Sequence, residues 1–117
     1  VEQAMKEAMD AFSFSISEFT VAPQVAVNDE LPYHEWLIEF EDAPKDMQAV
    51  TDFIDQSMQT QNSYYFDLIK GKVLQPLKIA SLERGAFQKY MKSQGKLGGQ
   101  NKVPRLSNDR KIADQMV

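Results

Sequence analysis

The sequence predicts an α+β sandwich, a small three-stranded sheet covered by helices. Apolar and polar residues alternate in two separate stretches, the period of a half-buried strand, and a further stretch between them also reads as a strand. Around those stretches apolar residues recur at three- and four-residue spacing, the period of a helix packed on one face. The chain has 117 residues, of which 43% are hydrophobic and 26% charged, enough for one modest core and too few for two. Residues 1–117 are therefore read as one domain.

Ala4, Met5, Ala8 and Met9 form one stripe, so Val1 to Asp10 is expected to be a short helix. Phe12, Phe14 and Ile16 alternate with Ser13, Ser15 and Ser17, and Phe19 and Val21 resume the apolar side after Glu18. This is the first strand. Pro23 through Pro32, enclosing Asn28-Asp29-Glu30, reads as a loop, and Tyr33 through Glu41 as a second strand pairing antiparallel with the first. Ala43-Pro44-Lys45-Asp46 carries helix-start chemistry, after which Met47, Val50, Phe53, Ile54, Ser57 and Met58 share a helical face. Asn62 to Ile69 suits a short helix or a strand, with helix favoured, and Gly71 ends it. Pro76 to Leu82 alternates as a third strand. Glu83 to Ser93 forms a helix with Phe87, Tyr90 and Met91 inward, stopped by Gly95. Gly95 through Arg105 has no period and is a loop, after which Ser107 or Asn108 can cap a last helix through Ile112 and Met116.

Composition removes several classes of function. There is no Cys, so disulfides, thiolate metal sites and cysteine nucleophiles are excluded, which fits a reducing, cytoplasmic setting. No apolar run approaches the roughly 18 residues that span a bilayer, and the start, Val1-Glu2-Gln3-Ala4-Met5, lacks the pattern of a signal peptide. That start falls mid-helix without an initiator Met, as expected of a fragment of something longer. Charge is unevenly distributed: residues 1–60 hold two Lys against thirteen acids, a net of −11, and residues 61–117 hold eleven cations against four acids, a net of +7. The basic half suits nucleic acid, a phosphorylated ligand or an acidic partner surface, or is simply a basic face packed near an acidic one.

The loop is the most informative segment. Gly98 and Gly99 let backbone amides approach a ligand closely, while Lys96, Lys102 and Arg105 supply positive charge for a phosphate. The spacing is not that of a Walker loop, so an ordinary basic surface loop is the competing reading. His34 is the only histidine, and no spacing gives it a nucleophile and an orienting acid; it reads as a packed strand histidine. Glu35, Glu39, Glu41 and Asp42 raise a metal or paired-carboxylate site, against the plainer reading of solvated acids at a strand end. Trp36, Phe40, Tyr64, Tyr65 and Phe66 could stack on a base but at element spacing fill a core. No signature of an RNA-recognition or helix-turn-helix module appears, and the first half is strongly acidic.

Three segments, the strand Gln75-Pro76-Leu77-Lys78-Ile79, the turn Gly85-Ala86-Phe87 and the stretch Gly95 to Arg105, together resemble the C-terminal domain of the auxin-responsive Gretchen Hagen three family. These are the acyl acid amido synthetases, within the adenylate-forming superfamily of acyl-CoA synthetases, adenylation domains and luciferases. In the plant branch the last segment is a glycine, several residues, then Asn-Gln-Tyr-Lys-x-Pro-Arg. Gln100, Lys102, Pro104 and Arg105 match it, whereas Asn101 replaces the tyrosine and Gly99 the asparagine. The form from Met91 to Arg105 is similar to that of the bacterial branch, and the strand Tyr33–Glu41 and the helix from Asp46 fit the same domain.

The resemblance implies a small mixed three-stranded sheet serving as the C-terminal lid of a ligase whose large N-terminal ATP-binding domain lies outside this chain. The implied reaction uses ATP and Mg2+ to adenylate a carboxylic acid, then passes the acyl group to an amino acid amine. The implied partners are the chain's own large domain and these substrates, with no nucleic acid and no membrane. Lys102 becomes the catalytic lysine that reaches the phosphates on closure, with Lys96, Gly98, Gly99, Gln100, Asn101 and Arg105 as phosphate-loop residues, and no metal is held by this domain. Alternatives are a stand-alone module whose basic loop binds nucleic acid or an acidic partner, and the lid of an acyl-CoA ligase.

Overall fold

A computed structural model describes residues 1–25, 30–93, 105–107 and 110–116. The first helix, α1 (Glu2–Ala11), buries Ala4, Met5 and Ala8, the stripe its sequence spells out. Strands β1 (Ser15–Gln24) and β2 (Tyr33–Asp42) pair antiparallel, as expected. Next come α2 (Met47–Gln61) and α3 (Ser63–Lys70), and then β3 (Lys78–Leu82), which lies parallel to β2. A parallel partner needs a crossover, and α2 and α3 supply it. The sheet order β1-β2-β3 is thus mixed, and helices α4 (Ala86–Ser93) and α5 (Ala113–Met116) follow.

Caps fix where the crossover helices begin. The Asp46 carboxylate accepts from the Ala49 amide at 3.0 Å, and the Asn62 side chain accepts from the amides of Tyr64 and Tyr65, at once ending α2 and starting α3. The stretch from Asn62 that suited helix or strand is therefore helical. Gly71 caps it at an ordinary φ of −78°, and the left-handed residue is Lys72, with φ 57°.

Both faces of the sheet are covered. Phe19, Val21, Trp36, Ile38 and Phe40 pack with Met5, Val50, Ile54 and Tyr65 beneath α1, α2 and α3. Ala22 and Leu37 on the opposite face pack against Ala113 of α5, with Ala80, Leu82 and Met116 around them. Trp36 is fully buried and lies almost parallel to the Phe19 ring, with centroids 5.7 Å apart.

Several boundaries differ from expectation, among them the start of β3, which falls at Lys78 and not at Pro76. The first strand starts at Ser15 and runs through Pro23 to Gln24, with register breaks between Ser15 and Ile16 and between Ile16 and Glu18. The second break puts Ile16 and Phe19, three residues apart, into the same core, which simple alternation forbids and a bulge allows. Pro23 is tolerated because β1 is an edge strand of the three-stranded sheet, where a missing N–H need not leave a ladder bond open. The fourth helix begins at Ala86, after a turn in which Gly85 adopts φ +86°. The last helix begins only at Ala113, so Ser107 is no cap: its amide donates to the Val21 carbonyl at 2.8 Å. Asn108 and Gly95 lie outside the described residues.

Candidate functional site

Of the residues the sequence assigns to the phosphate loop, Lys96, Gly98, Gly99, Gln100, Asn101 and Lys102 lie outside the described residues. Arg105 and the elements that flank the segment are described, so the site can be built from its two roots.

The first root is the strap Arg105–Ser107, which lies along β1. The Val21 amide donates to the Arg105 carbonyl at 2.8 Å, and the Ser107 amide donates to the Val21 carbonyl at the same distance, a short parallel bridge centred on Leu106. Arg105 Nε donates to Glu2 Oε1 at 3.2 Å, and Nη1 donates to Glu18 Oε1 and, at 3.0 Å, to the Phe19 carbonyl. Its guanidinium also lies 4.7 Å from the centroid of the Phe19 ring. A planar five-donor group on two carboxylates, a carbonyl and an aromatic face is the arrangement in which arginine and lysine are least interchangeable.

The second root is α4, positioned by a carboxylate from the central strand. Glu39 is only 7% exposed and accepts from the amides of Gly85 and Phe87 at 3.1 and 2.9 Å. It satisfies amides at the start of a helix from across the sheet. The expectation of solvated acids at this strand end is therefore corrected for Glu39. Arg84 Nη2 donates to the Glu41 carbonyl at 2.6 Å, tying the same turn to the end of β2. Between α4 and α5 lies an open cleft of about 230 Å³ bordered by Glu83, Lys89, Tyr90 and Met116.

Beyond the strap, Arg110 Nη2 donates to Glu35 Oε1 at 2.9 Å, Nε to Asp114 at 2.9 Å and Nη1 to the Pro23 carbonyl at 3.2 Å. Arg105 and Arg110 thus turn onto Glu2, Glu18 and Glu35 of the acidic half of the chain, whereas Arg84 stays exposed. Among the described residues no group of three His, Cys, Asp or Glu could hold a metal ion. No described helix is long and apolar enough to cross a membrane.

His34 is a packing residue. Its ring stacks on Tyr65 with centroids 5.5 Å apart, and burial holds its pKa below the usual 6.5 despite the opposing pull of Asp55. Trp36, Phe40 and Tyr65 are in the core, but Tyr64 and Phe66 are exposed, at 71% and 39%. The residue that sequence reasoning missed here is Asp55, a buried carboxylate on the apolar side of α2. It accepts from the Tyr65 hydroxyl, from the Leu77 amide at 3.1 Å and from Gln59 Nε2 at 2.6 Å. Asp55 follows Ile54 in the stripe, and only its inward position among apolar neighbours could have marked it.

A family model described as "GH3 family C-terminal domain" matches residues 1–111. No curated protein matches the chain. Among solved structures, "GH3.15 acyl acid amido synthetase" is 19% identical with a TM-score of 0.76, covering 97% of this chain and 21% of that one. "AtGH3.15 acyl acid amido synthetase in complex with 2,4-DB" is likewise 19% identical with a TM-score of 0.76, over 98% and 22%. These two likenesses show a shared fold. The chain spans about a fifth of the length of either structure.

Proposed function

Because this chain belongs to the GH3 C-terminal domain family, we propose that it is the mobile C-terminal domain of an acyl acid amido synthetase, working with a larger N-terminal domain of the same protein. The family match over residues 1–111 is the observation that carries this reading, and the small share of the solved structures it spans supports a separate large domain.

In the proposed reaction a carboxylate attacks the α-phosphorus of ATP, giving an acyl-adenylate and pyrophosphate. An amino acid amine then attacks the acyl carbon, the amide forms and AMP leaves. Mg2+ travels with the nucleotide; the described residues of this chain offer it no cluster of ligands. The contribution of this chain is Lys102, whose ammonium offsets the charge that develops as pyrophosphate departs. Closure of the domain keeps water from the labile adenylate. A cytoplasmic setting suits both substrates. The engagement of Arg105 and Arg110 within the domain weighs against a nucleic-acid module, since two of the groups best suited to phosphate backbones are occupied there.

The test is acid-dependent pyrophosphate release by the full-length protein, with a panel of carboxylic acids that begins with 2,4-DB and with amino acids and coenzyme A offered side by side. Lys102→Ala is expected to slow release by about 10²–10³-fold, the loss typical when one charge-stabilising donor is removed. An unchanged rate, or transfer to coenzyme A alone, overturns the proposal.

A further inference from the structure

Arg105 was grouped by sequence with the phosphate-loop residues, but its surroundings give it different work. We infer that Arg105 is a positioning residue: its guanidinium locks the strap Arg105–Ser107 to β1 and α1 and so fixes the root of the chain three positions after Lys102. The inference rests on the role proposed for Lys102.

Four observations converge on it. The strap is held by a pair of backbone hydrogen bonds through Val21, both 2.8 Å. The side chain spans two elements, with Glu2 from the first turn of α1 and Glu18 from β1 as partners. The same Nη1 that meets Glu18 also donates to the Phe19 carbonyl, and the cation lies over the Phe19 ring. Phe19 is itself stacked on the fully buried Trp36, so the arginine is referenced to the buried centre of the core. Turning this guanidinium to a phosphate would abandon two carboxylates and a carbonyl together, and each loses a charge-assisted hydrogen bond.

Lysine chemistry and arginine chemistry are thereby divided. A lysine is a flexible point charge that can follow a phosphate through a reaction, whereas an arginine fork holds a fixed set of acceptors. The geometry places the fork on the strap, where its acceptors are fixed.

Glu18 separates the two possible roles of Arg105. If the arginine binds ligand, Glu18→Gln releases it from a competitor and the rate stays or rises. If it positions, Glu18→Gln and Arg105→Gln both weaken the root. The measurement is pyrophosphate release by the full-length protein with an acid it turns over in the Lys102 test, resolved into kcat and KM. Expected are falls in kcat of roughly tenfold for Glu18→Gln and for Arg105→Gln, in keeping with the cost of small misplacement at a reacting centre, with KM for ATP unchanged. The double variant Lys102→Ala/Glu18→Gln is expected to be no slower than Lys102→Ala alone, because the root acts only through that lysine. Arg105→Lys, which keeps the charge and loses the fork, should not restore kcat. A normal or raised kcat in Glu18→Gln, or recovery in Arg105→Lys, overturns the inference while leaving the role of Lys102 intact. If Lys102→Ala has no effect, the functional reading fails first and takes the inference with it.

Discussion

Asp55 shows how much can hang on one side chain. A buried carboxylate is costly unless its acceptor sites are filled, and here the Tyr65 hydroxyl, the Leu77 amide and Gln59 fill them. Burial and the adjacent carboxylate push the Tyr65 hydroxyl far above its usual pKa, so it remains a donor throughout the working range. Tyr65→Phe keeps the ring but removes the donor, and is expected to cost about 1–3 kcal/mol by urea unfolding of the 117-residue chain. His34 adds a pH dependence. Burial lowers its folded pKa below 6.5, so just beneath that value the unfolded chain binds the proton more readily than the folded one. The stability linked to His34 is complete above 6.5 and lost as pH falls through the window below it. Urea midpoints at about pH 7.5 and pH 5.5 should therefore drop on acidification, and drop less in His34→Phe, which keeps the stacked ring without its titration. Equal drops would show that the histidine is not the source.

At the scale of elements, α4 depends on contacts from outside itself. A helix of eight residues is too short to stand alone in water, and the Glu39 carboxylate at its first turn together with Phe87 in the core holds it down. Glu39→Gln is expected to accelerate hydrogen exchange at the amides of Gly85 and Phe87 while leaving those of α2 unaffected. Gly85→Ala isolates backbone cost, because an added Cβ there meets no atom within 4 Å and only the φ of +86° resists it. A loss of about 1–2 kcal/mol is expected in thermal or urea unfolding. Elements with a local signature were legible in the sequence: the stripe of α1, the Asp46 cap and stripe of α2, and the apolar run that marks β2. The bulge in β1 was visible only as the three-residue step from Ile16 to Phe19, which breaks the alternation without showing that one strand continues through it. Glu39 and Asp55 look like surface acids until their donors arrive from distant parts of the chain. The strap was illegible for a related reason: Leu106 is 54% exposed, so Arg105–Ser107 has no buried period to announce a strand. Within the candidate site, residue type pointed to the basic segment, but only coordinates reveal that Arg105 faces the sheet.

Across the whole molecule, two arginines from the basic half of the sequence pair with acids of the acidic half. Glu2, Glu18 and Glu35 from the first half receive Arg105 and Arg110 from the second, and Arg84 reaches the backbone at the end of β2. Removing residues 105–117 strips both arginines and the Ala113 contact from the sheet and bares the groups of Val21 that the strap now occupies. Such an uncovered edge invites pairing between copies. The truncated chain is expected to elute as dimers or larger species in size-exclusion chromatography, whereas the intact chain elutes as a monomer; a monomeric truncation would show that the strap is dispensable for guarding the edge. The strap also sets an order of events during synthesis. A ribosome delivers β1 well before Arg105, so every nascent chain passes through an interval in which the hairpin is made but its guard is not. Codon usage or chaperone occupancy that lengthens this interval would raise the yield of aggregate without altering a single residue of the finished protein.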